Sequence, residues 1–187
     1  MSIKIIVTLF IILFVTTGCT VKSPVYKVDN NLANNLNDYN LKSSSVSKDE
    51  NETLNKSMYE ISLRAATMLS SYGNSYSDYI SDSLKQQLSQ NNLYNPNSDI
   101  MIKTKLLKNN ADIWGFSIGS YDLVVNFKIF KNDVILYDKN IENKHSFPSH
   151  FVGNIAIENA INNYPIAVQK VIAKFLIDND TIQILKK

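Results

Sequence analysis

The sequence predicts an α+β fold: a two-layer sandwich in which two helices pack on one face of a mostly antiparallel sheet of about four strands. Two observations support this fold class. Apolar and polar residues alternate in four segments, which is typical of half-buried strands, and apolar residues recur at helical spacing in two others. Along residues 56–187 these segments follow the order β-α-β-β-β-α. Each helix has one apolar face to bury, so both are expected against the same sheet.

The first strand and the first helix open this domain. Residues 59–65 alternate between apolar and polar side chains, which predicts a half-buried strand. In residues 76–90 apolar side chains recur at every fourth position, which predicts an amphipathic helix. Ser75 or Ser77 is expected to cap this helix, because a serine hydroxyl accepts a hydrogen bond from a free N–H of the first turn.

Three further strands follow in the second half of the chain. Alternation predicts them at residues 100–106, 121–129 and 134–143. The polar residues 131–133 are typical of a tight hairpin turn, so the last two strands are expected to pair antiparallel. Residues 109–120 are predicted to be irregular, and they carry Trp114, the one tryptophan of the chain.

The chain ends in a long apolar stripe at helical spacing, from Ile155 to Leu176. Pro165 lies inside this stripe. Because proline disrupts a helix interior, the sequence predicts either two helices that meet at residues 163–165 or one kinked helix. Residues 181–185 are predicted to add a short edge strand.

The composition excludes several classes of protein. The chain has 187 residues, of which 44% are hydrophobic and 10% aromatic, so it can build one packed domain. With 5 Gly and 1 Cys it is neither collagen-like nor a disulfide-rich scaffold. Its 19 Lys and Arg face 17 Asp and Glu, which argues against a nucleic-acid partner.

Residues 1–18 have the layout of a secretory signal: a positive start, an apolar run and then small residues. Residues 15–19, which end in Gly18 and Cys19, resemble the lipobox of bacterial lipoproteins, where diacylglycerol is attached to the Cys and cleavage falls before it. The alternative is an ordinary secretory signal followed by a chance Cys. The only Cys of the chain stands at the position that the lipobox requires.

The lipobox resemblance implies that Cys19 is lipidated and that the protein is anchored in the bacterial envelope, facing the periplasm. In enterobacterial lipoproteins an Asp after the Cys favours the inner membrane. Thr20 follows here, so the resemblance implies the outer membrane. Residues 19–55, rich in Asn and Ser, predict a disordered tether, and a coil of this length spans about 30–35 Å. One domain is expected at residues 56–187.

The layout of lipobox, polar stretch and β-α-β-β-β-α domain is similar to that of small envelope lipoproteins of the YajG and LptE kind. The chain resembles more closely a group of uncharacterised proteobacterial lipoproteins. Short matching segments spread over residues 58–178, at 66–68, 72–75, 84–88, 134–139 and 151–157. The resemblance implies a fold and a location but no activity, and relatives with a known role are accessory parts of envelope machines.

Three aromatic residues are candidates for binding a partner. Trp114 and Phe116 lie in a loop with two glycines, and such a loop suits a protein interface because Trp and Tyr dominate interface hot spots. The alternative is that Trp114 folds back onto the core. Tyr72, in the loop before the first predicted helix, is the third candidate.

No catalytic or metal site is expected. His145 and His150 flank Pro148, and a metal site would need at least one further ligand beside them. Ser146 follows His145, and adjacent residues of a strand point to opposite faces, so the two do not suggest a nucleophile and its base. We expect no cofactor.

These observations favour a non-enzymatic envelope lipoprotein that acts as an accessory or interaction module for a protein complex. The alternative is a carrier of a lipid or other apolar ligand, with a pocket lined by residues such as Phe127, Ile129 and Phe175. An enzyme is the least favoured class, because the chain offers only two His, one Cys and one Arg.

Overall fold

The computed structural model describes residues 19–50, 56–73 and 75–187. The signal sequence predicted at residues 1–18 lies outside these ranges. The described residues form two sheets and four α-helices, so the predicted α+β class is confirmed.

The larger sheet has four strands in the order β2-β5-β6-β7: β2 (Ser45–Lys48), β5 (Ile100–Asp112), β6 (Ile118–Lys131) and β7 (Val134–Pro148). β6 and β7 pair antiparallel as predicted, β5 also pairs antiparallel with β6, and β2 runs parallel to β5. Asn132 and Asp133 take positive φ angles of 48° and 63°, which is the backbone of a two-residue type I′ hairpin. The three long strands extend beyond their predicted bounds: β5 continues past a bulge between Leu106 and Lys108, and β7 continues with His145 and Phe147 buried.

The smaller sheet has three strands in the order β1-β4-β3: β1 (Cys19–Lys22), β3 (Glu60–Leu63) and β4 (Ala66–Leu69). A short 3₁₀ turn, Lys56–Met58, precedes β3. The half-buried strand predicted at residues 59–65 is present as β3 but ends at Leu63, and the second strand, β4, was not predicted. Arg64 takes a positive φ of 50° and reverses the chain, so β3 and β4 form a hairpin.

Two of the helices cover one face of the larger sheet. These are α2 (Tyr76–Ser89), which packs on β2 and β5, and α3 (Gly153–Leu176), which packs on β6 and β7. The hydroxyl of Ser75 accepts a hydrogen bond from the N–H of Asp78, which confirms Ser75 as the cap of α2. Pro165 is buried within α3, and α3 continues through it as one helix and not as two helices that meet at residues 163–165.

The last element differs from its prediction. Residues 181–185 belong to a helix, α4 (Asn179–Leu185), and not to an edge strand. The carboxylate of Asp178 accepts hydrogen bonds from the N–H groups of Asp180 and Thr181 and so caps this helix. The apolar residues Ile182 and Leu185 are spaced three apart and are both buried, which is the spacing of a helix face.

The disordered tether predicted at residues 19–55 is not what the structure shows for residues 19–50. This segment contributes β1 and β2 and the helix α1 (Asn30–Asn37), and it buries Leu32 and Leu36 in the core. Asp29 caps α1, accepting hydrogen bonds from Asn31 and Leu32. The prediction failed because five of the eight residues in α1 are Asn, a composition that indicates disorder. The helical signal was limited to Leu32 and Leu36, which lie four residues apart.

One buried amide fixes the first segment to the rest of the domain. The side-chain oxygen of Gln87 in α2 accepts hydrogen bonds from the Tyr26 hydroxyl at 2.8 Å and the Asp29 N–H at 2.9 Å. Its side-chain nitrogen donates to the Asp29 carbonyl at 3.1 Å. Since a buried polar group without a partner costs about 1–3 kcal/mol, these three bonds hold residues 26–29 firmly against α2.

Tyrosines fill the centre of the core. The rings of Tyr76, Tyr79 and Tyr121 each lie 4.9–5.3 Å, centroid to centroid, from the ring of Tyr164. The hydroxyls of Tyr76 and Tyr121 donate to the backbone carbonyls of Met68 and Ala160. Burial raises the pKa of these phenols far above its ordinary value, so they stay neutral.

Candidate functional site

The described surface carries a cluster of exposed apolar side chains at one end of the larger sheet. Trp114, Phe116 and Phe151 are each 73% exposed, and three aliphatic residues surround them. We call this cluster the apolar edge; its members are Trp114, Phe116, Ile118, Phe151, Val152 and Ile155. Trp114 therefore does not fold back onto the core, which was the alternative to an exposed binding residue.

The first loop of the apolar edge connects β5 to β6. The Asp112 carboxylate accepts a hydrogen bond from the Trp114 N–H at 3.2 Å, which turns the chain at the end of β5. A Cβ at position 115 would overlap the carbonyl of Ile118, so only glycine closes this loop. The tight closure leaves the side chains on both sides of Gly115 directed outward.

The second loop connects β7 to α3 and runs alongside the first. The Ser149 N–H donates to the Ser117 carbonyl at 2.8 Å, which continues the β6–β7 pairing past the end of the strands. The rings of Phe116 and Phe151 then lie 5.6 Å apart, centroid to centroid. The two loops, 35 residues apart in sequence at this contact, therefore form one surface.

The side chain of Arg64 forms hydrogen bonds with the backbone of both loops. Its guanidinium donates to the carbonyl oxygens of Ile113 at 2.8 Å, Gly115 at 3.2 Å and Phe151 at 3.3 Å. The β3–β4 hairpin is thereby fixed to both halves of the apolar edge. Sequence reasoning missed Arg64, Phe151 and Val152; the one signal was that Arg64 is the single Arg among 19 basic residues.

Cys19 lies at this same end of the molecule. It is exposed, it begins β1, and it is the register partner of Ala66 in the parallel β1–β4 pair. Ala66 follows the hairpin turn that carries Arg64. The candidate lipidation residue and the apolar edge are therefore joined through one short hairpin and the guanidinium of Arg64.

The apolar edge is also free of formal charge. Residues 113–121 contain no Asp, Glu, Lys or Arg, and neither do residues 146–157. His150 is the one titratable side chain in the second loop, and its Nδ1 accepts a hydrogen bond from the Val152 N–H at 3.0 Å. An uncharged, largely aromatic surface of this kind favours an apolar partner.

Tyr72, the third predicted binding residue, lies apart from Trp114 and Phe116. It follows the far end of β4 and is half-buried, with its ring edge-on to Tyr79 at 5.0 Å. Its hydroxyl accepts hydrogen bonds from the Tyr26 N–H and the Gln86 side chain, each at 3.0 Å. Tyr72 thus helps to hold the first segment on α2.

His145 and His150 do not converge. His145 is buried, and its Nδ1 accepts a hydrogen bond from the Lys170 amine at 2.9 Å, so its Nε2–H donates to the Asn163 side-chain oxygen at 3.0 Å. Burial lowers the pKa of His145, and the Lys170 charge acts in the same direction, while the bond to Asn163 opposes them. His145 is accordingly a neutral core histidine.

The remaining chemistry-bearing groups can be located as well. Ser146 is exposed while His145 is buried, so they occupy opposite faces of β7. In residues 19–50, 56–73 and 75–187, no three His, Cys, Asp or Glu side chains are grouped so as to hold a metal ion. Within the same ranges, no helix combines the length and the apolarity needed to cross a membrane.

The larger clefts are open and partly polar. One of about 520 Å³ lies between β3 and the β5–β6 pair and is lined by residues of both charges, among them Lys56, Glu60 and Asp122. The pocket expected from the carrier hypothesis is not found at its predicted place. There the rings of Phe127 and Phe175 stack at 4.1 Å, centroid to centroid, and fill the space between β6 and α3.

The molecule is thus an α+β domain with an uncharged apolar edge beside an exposed cysteine. Its fold is similar to that of protein XCC0632 from Xanthomonas campestris, assigned to the family DUF330, with a TM-score of 0.53 and 10% identity over 84% of this chain and 95% of that one. A "putative lipoprotein" from Caulobacter crescentus has a TM-score of 0.49 and 8% identity, over 82% of this chain and 96% of that one. At 10% identity, the similarity to the Xanthomonas protein concerns the fold alone. Nothing is concluded from the weaker similarity to the Caulobacter protein.

Neither a family model nor a curated protein sequence matches the chain. The resemblance to lipoproteins of the YajG and LptE kind stays a prediction.

Proposed function

We propose that the protein is an envelope lipoprotein, held by lipid on Cys19 at the periplasmic face of the outer membrane, and that it is a non-enzymatic accessory module of an envelope protein complex. The observation that carries the proposal is the position of Cys19. It follows the lipobox-like residues 15–18, and its side chain is exposed at the start of the first strand. A lipid on this sulfur would therefore leave the fold undisturbed.

The strength of such an anchor follows from its apolar length. Each buried CH₂ contributes about 0.8 kcal/mol, so one acyl chain binds a membrane weakly and two or three hold it stably. A diacylglycerol thioether at Cys19 supplies that number.

The interaction role is supported by the long free edge of the larger sheet. In the part of the chain that the structure describes, the 15-residue strand β7 pairs with β6 alone. The N–H and C=O groups on the other side of an edge strand are a template for an added strand from a partner. Lys174 covers this edge at one point, where its amine donates to the Glu142 carbonyl at 2.8 Å.

The anchor is tested by metabolic labelling with palmitate, followed by separation of the inner and outer membranes. The wild-type protein is expected to carry label and to sediment with the outer membrane, while Cys19→Ser loses both. Label that persists in Cys19→Ser would contradict the role of Cys19. Label with inner-membrane sedimentation would contradict the outer-membrane assignment only.

The interaction role is tested by a photo-crosslinking amino acid in living cells. Asn140 is exposed on β7, and Asn34 is an exposed position of the same residue type on α1. We expect an adduct with one envelope protein from position 140 and none from position 34. Equal adducts from both positions, or none from either, would contradict the use of the β7 edge.

The carrier alternative gains no support from the structure. It requires an enclosed apolar cavity, and the stacked rings of Phe127 and Phe175 occupy the predicted place.

A further inference from the structure

We propose that the apolar edge inserts into the interfacial layer of the bilayer that holds Cys19. The inference rests on the lipid anchor proposed above and adds a second, non-covalent membrane contact made by the protein itself. Trp114, Phe116 and Phe151 are its main contacts. The domain would then lie directly on the membrane.

The first argument is the missing linker between the lipid and the fold. Cys19 is itself the first residue of β1, so the chain is in a strand from the anchor point onward. Neighbouring strands lie about 5 Å apart, which places Cys19 beside Ala66 and close to the Arg64 hairpin. A lipid on Cys19 therefore brings this end of the domain to the headgroups.

The second argument is the make-up of the apolar edge. Tryptophan is enriched at the membrane–water interface, and aromatic and aliphatic side chains of surface-bound segments enter the boundary between headgroups and acyl chains. Residues 113–121 and 146–157 carry no Asp, Glu, Lys or Arg that would have to be desolvated, and the adjacent Asp112 carboxylate accepts the Trp114 N–H. The guanidinium of Arg64 directs its N–H groups to the carbonyls of the two loops.

The third argument is that the loops are held in place before any contact is made. Gly115 closes the first loop, the Ser149–Ser117 hydrogen bond joins the second to it, and Arg64 binds both. A surface that is already ordered loses little conformational entropy on insertion. A bilayer also meets all six side chains of the edge at once, because they lie at the same end of the molecule as Cys19.

Trp114 is the only tryptophan, so its fluorescence reports on the apolar edge alone. The lipidated full-length protein is purified, its acyl chains are verified by mass spectrometry, and it is reconstituted into vesicles of phosphatidylethanolamine and phosphatidylglycerol. Part of the lipid is a phosphatidylcholine brominated on its acyl chains. We expect emission at shorter wavelength than in the exposed state, quenching by the brominated lipid and protection from aqueous iodide.

A matched control moves the tryptophan to the opposite end of the sheet. The variant Trp114→Phe with Val134→Trp places it at a 60% exposed position. Residues 118 and 131 of β6 alone are separated by about 40 Å, well beyond one leaflet of about 15 Å. This variant is expected to resist the brominated lipid and to be quenched by iodide. A second variant, Phe116→Ser with Phe151→Ser, is expected to reduce the lipid quenching of Trp114 while its circular dichroism is unchanged.

Every other outcome overturns the proposal. Iodide quenching of Trp114 equal to that of the control would mean that the edge stays in water and is left for a protein partner. A shift to shorter wavelength that grows with protein density, without quenching by the brominated lipid, would assign the edge to a second copy of the chain. A protein without acyl chains would remove both the anchor and the insertion, whereas an acylated protein with Trp114 in water would remove the insertion only.

Discussion

The two ends of the larger sheet both expose apolar side chains, but they do so in different ways. At the turn end, Val134, Ile135 and Leu136 are exposed in one continuous stretch beside the Asn132–Asp133 hairpin. Charged residues lie close by in sequence, among them Lys131 and Asp138. These three side chains come from one short piece of a single strand, and no bond from a distant part of the chain is needed to bring them together.

The other end is assembled from distant parts of the chain. Its two loops and the β3–β4 hairpin are joined by Arg64, whose partners are 49, 51 and 87 residues away in sequence. It exposes the six side chains of the apolar edge, and residues 113–121 and 146–157 contain no Asp, Glu, Lys or Arg. Long-range bonds order this exposed apolar surface, and that is the difference between the two ends on which the proposed membrane contact rests.

The largest expected effect comes from releasing the segment that brings Cys19 to the apolar edge. Gln87→Ala leaves the Tyr26 hydroxyl and the Asp29 N–H without their acceptor, while the Asp29 carbonyl still accepts from the Ala33 N–H. We therefore expect a loss of about 3 kcal/mol in the free energy of unfolding. Urea unfolding measures it, and limited proteolysis within residues 23–44 should become faster. Gln86→Ala, which removes one bond to Tyr72, serves as the control and should cost less than about 1 kcal/mol. Equal losses in the two variants would contradict the role given to Gln87.

The next effect separates the two ends directly. Arg64→Asn removes three hydrogen bonds but tolerates the positive φ, so we expect a loss of about 2 kcal/mol that reports on the bonds. Amide hydrogen exchange should become faster in residues 113–117 and 149–152 and stay unchanged near Val134. Lys131→Ala, at the turn end, should change stability by less than about 0.5 kcal/mol. Unchanged exchange in both loops of Arg64→Asn would mean that the edge is ordered without Arg64.

A smaller effect is expected from a single methyl group in the first loop. Gly115→Ala forces a Cβ against the Ile118 carbonyl, and we expect a loss of about 1–2 kcal/mol as the loop opens. Gly153→Ala is the matched control, since a Cβ there meets no atom within 4 Å and the residue lies in the first turn of α3. It should be neutral or stabilise by up to about 1 kcal/mol. Thermal unfolding of both variants measures the difference, and a neutral Gly115→Ala would show that the loop has room to adjust.

The smallest effect is on the pH dependence of stability. The pKa of His145 is lowered in the folded state from the ordinary 6.5, so the unfolded chain binds a proton at a pH where the folded one does not. The contribution of neutral His145 to the free energy of unfolding is fully present above pH 6.5. It is lost as the pH falls from 6.5 through the folded-state pKa. Urea unfolding across this range should show a steeper pH dependence for the wild type than for His145→Gln. A His145→Gln slope as steep as that of the wild type would refute the assignment.

The parts of the fold that sequence predicts are those set by local chemistry. Ser75 and the fourfold apolar spacing define α2, and the polar turn at residues 131–133 defines the β6–β7 hairpin. The failures have physical causes as well. Residues 181–185 are rich in β-branched side chains, which favours a strand locally. The Asp178 cap and the burial of Ile182 stabilise a helix instead.

The candidate site divides in the same way. Trp114 and Phe116 can be recognised from the local sequence, because they are aromatic residues next to glycine in a predicted loop. Their connection to Phe151 and Cys19 depends on Arg64 and on strand register, and neither can be derived from residue types nearby in the sequence. The parallel pairing of β1 with β4 joins residues 47 positions apart, and no local pattern specifies it.

The start of β1 at Cys19 has a consequence for how copies of the protein would meet their partners. A lipid attached to a strand, and not to a loose linker, restricts the angle between the sheet and the membrane normal. In all copies in one leaflet, β7 would then have a similar angle to the membrane normal. The copies would meet a partner by diffusion in two dimensions, with a restricted set of orientations. Lengthening the chain by a flexible insert after Cys19 would remove that alignment while leaving the lipid and every contact of the domain in place.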